Sequence, residues 1–210
     1  MKIFKYGNFI KESKEDINSI CKNYGIENYT INEDGSVDVD GNVYLTYSKL
    51  TEIPLKFGKV SGSFYCNKNK LTSLEGSPRE VGGHFCCSNN ELTSLEVSPN
   101  KVGSFFCSNN ELTSLEGISK YISKGIYCED NKLRDVKGIR DGWRGKFDVE
   151  GNPVYEIFEL FPFNVWDEVI ELLNEYDVIK EEGVNIQALE QVFIDMDMEF
   201  SFFKNYKMIL

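Results

Sequence analysis

Six cysteines and a single histidine are the residues of this 210-residue chain best suited to chemistry. Cys66, Cys87, Cys107 and Cys128 follow one another at 20 or 21 residues, Cys86 adjoins Cys87, and His84 lies two residues before Cys86. On a strand, His84 and Cys86 project to the same face. Such a pair can form a nucleophile, the imidazole lowering the thiol pKa. No orienting carboxylate or oxyanion-hole motif adjoins it, so both residues are expected to be ordinary members of an exposed face. Zinc requires a tetrahedral convergence of ligands, and no CxxC occurs. Thiols placed one per coil, roughly 4.8 Å apart in a linear stack, pack instead as small hydrophobes. Free buried thiols are therefore expected over disulfides or a metal, which points to a reducing compartment. The Asp38-x-Asp40-Gly41 string suggests a calcium loop but lacks the EF-hand spacing and closing glutamate. Asp195 and Asp197 read as a solvated helix edge, and Gly145-Lys146 lacks the rest of a phosphate-binding loop. The chain reads as no enzyme, with no catalytic residue, metal ligand or cofactor.

These residues are positioned by a repeat. LTSLEG, LTSLEV and LTSLEG begin at Leu71, Leu92 and Leu112, with weaker copies at Leu50, Leu133 and Val154, giving spacings of 21, 21, 20, 21 and 21. A fixed period of this length is the signature of a solenoid. Four apolar columns align: Val43, Phe64, Phe85, Phe105, Ile126 and Phe147; Leu45, Cys66, Cys87, Cys107, Cys128 and Val149; Ile53, Leu74, Leu95, Leu115, Val136 and Ile157; and Val60, Val81, Val102, Ile122 and Trp143. Each should stack inward, coil upon coil. The residue missing from the fourth coil falls between Val102 and Phe105, where a convex-side turn can absorb it.

A fifth column is Ser48, Asn69, Asn90, Asn110, Asn131 and Asn152. Its amides are expected to bond backbone groups of their own and the adjacent coil that would otherwise be buried without partners. With this column in view the chain resembles a leucine-rich-repeat protein. Phe85, Cys87, Asn90, Leu92 and Leu95 fit the repeat pattern, while Gly82 stands where a leucine is usual. The phrases PLKFGKVSGSFYCNKNKLTSLEGSP and GNPVYEIFELF resemble the small leucine-rich-repeat proteins of large tailed bacteriophages, over about residues 29–161. The resemblance implies a horseshoe and a binding role, with a host or defence protein as partner, inhibition or sequestration as outcome, and the host cytoplasm as location. It implies no enzymatic activity.

A solenoid needs closed ends. Ser13 with Asp16 reads as a capping box opening a helix to about Asn23. Asp34-Gly35 and Asp40-Gly41 then suggest hairpin turns in an antiparallel meander leading into the first coil. Towards the C-terminus, Asn164 is expected to cap a helix to about Tyr176 and Asn185 a second, followed by an apolar tail, FSFFKNYKMIL. The resulting division is 1–42 N-terminal helix and hairpin cap, 43–157 solenoid of about six coils, and 158–210 acidic helical cap, an α/β solenoid overall. No run is long and apolar enough for a transmembrane helix, and the charged start does not read as a secretory signal. A soluble cytoplasmic protein is expected.

Net charge sharpens this division. Of the −11 total, residues 155–210 hold 13 acids and 3 bases, so the repeat body is nearly neutral. An acidic chain is poorly suited to a phosphate backbone, and neither direct nucleic-acid nor membrane binding is expected. Strand alternation turns Tyr44, Tyr65, Cys86, Phe106, Tyr127 and Asp148 outward, flanked by His84, Glu129 and small polar residues including Ser63, Ser88 and Ser104. Exposed rigid aromatics are typical of interface hot spots, so Tyr44, Tyr65, His84, Cys86, Phe106, Tyr127, Glu129 and Asp148 are the expected partner-binding residues. Three readings compete. The concave sheet holds a protein; or the acidic C-terminal helices mimic nucleic acid and occupy a basic groove; or the chain self-assembles. Monomer and homodimer both remain open.

Overall fold

The computed structural model describes residues 14–140, 143–180, 183–199 and 208–209. Ser13, and with it the expected capping box, lies outside them, as does most of the apolar tail. In chain order the elements are α1 (Lys14–Asn23), β1 (Tyr29–Ile31), β2 (Val37–Val39), β3 (Val43–Tyr44), β4 (Phe57–Val60), β5 (Phe64–Tyr65), β6 (Glu80–Val81), β7 (Phe85–Cys86), β8 (Lys101–Phe106), β9 (Tyr121–Tyr127) and β10 (Lys146–Asp148). The short helix α2 (Tyr155–Phe158), α3 (Trp166–Glu175), β11 (Ile179–Lys180), β12 (Gly183–Asn185), α4 (Ile186–Asp195) and β13 (Met208–Ile209) follow.

The coils stack in parallel, with two strand ladders rather than one. The first pairs Val43 with Phe64, Phe64 with Phe85, Phe85 with Phe105, Phe105 with Ile126 and Ile126 with Phe147, so its six strands bound five full turns. The second runs β2–β4–β6 and continues through the N-terminal halves of β8 and β9. The convex-side turn expected there is a second parallel strand. Its inward residues Val60, Val81, Val102 and Ile122 are buried, and its outward residues Lys59, Glu80, Lys101 and Tyr121 pair in register.

Glycine joins the two ladders. The amides of Gly62, Gly83 and Gly103 donate to the carbonyls of Gly41, Gly62 and Gly83 at 2.9, 2.8 and 2.6 Å. A Cβ on Gly82 would lie 2.1 Å from the Ser61 carbonyl oxygen, so only hydrogen permits so close an approach of coil on coil. In the fourth coil, one residue shorter between Val102 and Phe105, the Gly103–Gly83 bond persists and β8 runs unbroken through both ladders, with a register shift between Val102 and Ser104 against β9.

The four apolar columns make one core, and the Phe, Cys and Leu columns are almost entirely buried. The asparagines do what their phase suggested. Asn110 Oδ1 accepts from Leu92 N at 3.0 Å, and its Nδ2 donates to the carbonyls of Cys87 and Cys107 at 3.2 and 2.9 Å. Asn69, Asn90, Asn131 and Asn152 repeat the triad. A column of left-handed residues precedes them: Tyr47, Lys68, Asn89, Asn109, Asp130 and Gly151, with φ between 52° and 74°. A second such column closes the LTSLEG phrases at Gly76, Val97 and Gly117.

The flanking segments join the same core. Ile17 and Cys21 of α1 are buried, and β1 pairs antiparallel with β2 across Asp34-Gly35. The meander stops there. At Asp40-Gly41 the chain turns from one ladder into the other instead of folding back as a hairpin, because β2 pairs with β4 and β3 with β5. Asn164 caps nothing: it sits inside a 3-10 turn, Phe163–Val165, and α3 begins two residues later without a side-chain cap. Asn185 does cap α4, accepting from Ala188 N at 3.2 Å. Val169, Ile170 and Leu173 of α3 and Leu189, Val192 and Phe193 of α4 are buried. No helix among the described residues is long and apolar enough to cross a membrane.

Candidate functional site

The first ladder presents one face to the core and the other to solvent, and the outward face carries the residues singled out above. Each of the six strands supplies one ring or ring substitute, fixed by the buried residue on either side. Tyr44 is 60% exposed, while Tyr65, Cys86, Phe106, Tyr127 and Asp148 are half-buried. The half-burial arises from stacking between coils. Tyr44 lies on Tyr65 with ring centroids 5.2 Å apart and planes 2° from parallel; Phe106 lies on Tyr127 at 4.4 Å and 8°. Cys86 interrupts the ladder, leaving two ring pairs separated by a thiol.

No hydrogen bond joins His84 Nδ1 to the Cys86 thiol. The His84 ring packs edge-on against Phe106, centroids 5.7 Å apart, and its Nδ1 is enclosed without a hydrogen-bond partner. Burial pushes the Cys86 thiol above its ordinary range, against smaller opposing effects of Ser88 and the Lys68 charge. That is the reverse of the shift an activated nucleophile requires. All six cysteines are free. Burial holds the four ladder thiols higher still, and Cys66, Cys87 and Cys128 donate to the carbonyls of Cys86, Phe106 and Asp148 in the next coil at 3.3–3.4 Å.

The small polar flank is less available than expected. Ser63, Ser88 and Ser104 are buried. Ser63 Oγ accepts from His84 N at 2.9 Å, continuing a bond from Ser63 N to Asn42 Oδ1 at 2.7 Å, so this column ties coils together. Asp38 and Asp40 serve the same end: Asp38 accepts from Lys59 N at 2.7 Å and Asp40 from Ser61 Oγ at 2.7 Å. Among the described residues no group of three His, Cys, Asp or Glu is placed to hold a metal.

Charge gathers at the end of the face. Glu129 accepts from Ser108 Oγ, and Lys146 Nζ stands 4.8 Å over the Tyr127 ring and 3.7 Å from Asp148. Lys68, which the sequence reading did not include, stands 4.7 Å over the Tyr47 ring at the opposite end. Separately, a cleft of about 750 Å³ opens between the last coil and β11–β12, lined by Arg134, Tyr155, Glu156, Glu159, Ile179 and Lys180.

Family models, curated proteins and solved structures were compared with the chain, and none matches.

Proposed function

We propose that the chain is a non-enzymatic interaction module of leucine-rich-repeat type, binding a protein partner through the outward, aromatic face of its first ladder. The stripe Tyr44, Tyr65, Phe106 and Tyr127 carries this reading: four rings in line, solvent-accessible and held rigid by the strands beneath them. Aromatic side chains so fixed contribute contact area at little entropic cost. In a horseshoe this face is the concave one. The period of 20 or 21 residues and the asparagine ladder support that family reading. The resemblance to phage proteins makes a host or defence protein the partner class and inhibition the outcome.

Sheet stabilisation is the plainer account of the same rings, since a stacked pair contributes about 0.5–1.5 kcal/mol beyond its buried area. The two readings separate on one double variant. With Tyr65→Ser and Phe106→Ser, capture of the partner from host lysate should fall at least tenfold while the melting temperature drops by only a few degrees. Retained capture excludes the aromatic face. Loss of capture on neutralising Glu168, Glu171 and Glu175 to Gln, together with a steep salt dependence, would move the contact to the acidic helices.

A further inference from the structure

The outward face of the first ladder has two electrically different ends. Three columns make it: Asn42 to Lys146 in register with the strand starts, the ring column, and Thr46 to Glu150 beyond the buried thiols. Through the first four coils none of these positions is an acid or a lysine or arginine. The last two coils hold Glu129, Lys146, Asp148 and Glu150, three carboxylates against one ammonium. Glu150 is exposed and pairs with no cation among the described residues. The field of this corner reaches its neighbours. Burial first, and then the carboxylates of Glu159, Glu150 and Asp148, push the Tyr155 phenol above its ordinary range.

The chain itself shows what the corner accepts, for the one lysine in these columns, Lys146, lies across Tyr127 and against Asp148. A flat guanidinium fits the same surroundings better than an ammonium, because it stacks on a ring and pairs with a carboxylate through two bonds.

We propose, building on the protein-binding reading above, that this face takes a partner segment of fixed direction, apolar or aromatic over Tyr44–Phe106 and carrying an arginine at the corner formed by Tyr127, Glu129, Asp148 and Glu150. Charge complementarity fixes the direction. The aromatic stripe is the same along its length apart from Cys86, so without the corner a partner could lie either way round. Lys146 then acts as a placeholder that an incoming arginine displaces from the Tyr127 ring.

The test is an NMR titration of the isotopically labelled full chain with two probes, N-acetyl-arginine amide and N-acetyl-tryptophan amide. The arginine probe is expected to shift amides of 127–129 and 148–150 in a saturable manner, and the tryptophan probe those around Tyr65 and Phe106. Glu129→Gln with Glu150→Gln should weaken the arginine probe roughly two- to fivefold, the range of an exposed cation–π or ion-pair contact. Lys146→Gln should tighten it by a similar factor. Arginine shifts confined to 166–199, or unchanged in the Glu129→Gln/Glu150→Gln variant, overturn the charged corner. If the tryptophan probe still maps to the stripe in that case, the protein-binding face survives; if neither probe binds there, both proposals fall.

Discussion

The repeat body and the C-terminal segment bury polar groups in opposite ways. In the body each solution is repeated coil after coil: the asparagine triads, the glycine corner and the thiol-to-carbonyl bonds recur with the period of the chain. Beyond Tyr155 each solution is single. Asn185 caps α4, Asn174 donates to Ile139 O at 3.1 Å, Trp166 Nε1 reaches Phe161 O at 3.2 Å, and Arg144 meets Asp167 and Glu171. Repetition lets one residue type serve two coils at once, so an error in the body reaches the preceding coil as well as its own. An error in the C-terminal segment stays local. Net charge follows the same division, because the body balances 21 acids with 20 bases and sets opposite charges in register at Lys59, Glu80 and Lys101, whereas the C-terminal segment carries 13 acids against 3 bases.

The sharpest way to break the comparison is to remove an asparagine from each region. Asn131→Ala orphans Leu112 N and leaves the carbonyls of Cys107 and Cys128 with one amide donor each, from Asn110 and Asn152, and is expected to cost about 2–3 kcal/mol in chemical denaturation. Asn185→Ala should cost about 1 kcal/mol, the value of a lost cap. Asn164→Ala, which removes no cap, should change stability by less than about 0.5 kcal/mol. Equal losses at Asn131 and Asn185 would erase the distinction.

A second measurement sharpens it in the favourable direction. Val97 is a β-branched residue at φ 60°, 59% exposed, where the neighbouring coils have Gly76 and Gly117. Val97→Gly should raise stability by about 1 kcal/mol, read as an increased denaturation midpoint. Thiol titration probes the ladder without mutation. In the native chain Cys86 should be the first of the six to react with an aromatic disulfide reagent, and the four ladder thiols should react only on unfolding.

The smallest effects concern pH, and the two regions fail at opposite limits. In the body, the Ser36 hydroxyl at 2.6 Å and the Lys56 ammonium at 2.9 Å hold the Asp34 carboxyl well below the usual range. A depressed carboxylate contributes stability above its unfolded pKa, and that contribution fades as pH falls below about 4. Asp34→Asn should therefore flatten the acid limb of a stability profile. In the C-terminal segment, a 2.7 Å bond to Asp195 and partial desolvation push the Tyr176 phenol up to about 12. Its contribution is present below the unfolded value near 10 and is lost as pH rises from there towards 12. Tyr176→Phe should flatten the alkaline limb alone.

Long columns were legible in the sequence because they repeat. The Phe, Cys, Leu and Asn positions hold their phase through five or six coils, and their burial and hydrogen bonding follow from phase alone. The second ladder was legible as an inward column but not as strand, since two residues such as Glu80 and Val81 show no alternation to read. Asn89, Asn109 and Asp130 hinted at the left-handed column, but Tyr47 and Lys68 concealed it, being residues that seldom take that conformation. Asn164 misled because Pro162 starts a 3-10 turn that moves the helix start past the asparagine. At the candidate face the ring column could be read from alternation. The burial of Ser63, Ser88 and Ser104 could not, because it depends on how closely adjacent coils approach.

The register of the coils makes the face a ruler. Because Leu71 and Leu92 begin equivalent coils, a tandem duplication of the 21 residues between them would insert one more rung with every column still in phase. The length of surface offered to a partner can thus change in steps of a single coil, without redesign of the core or of either end.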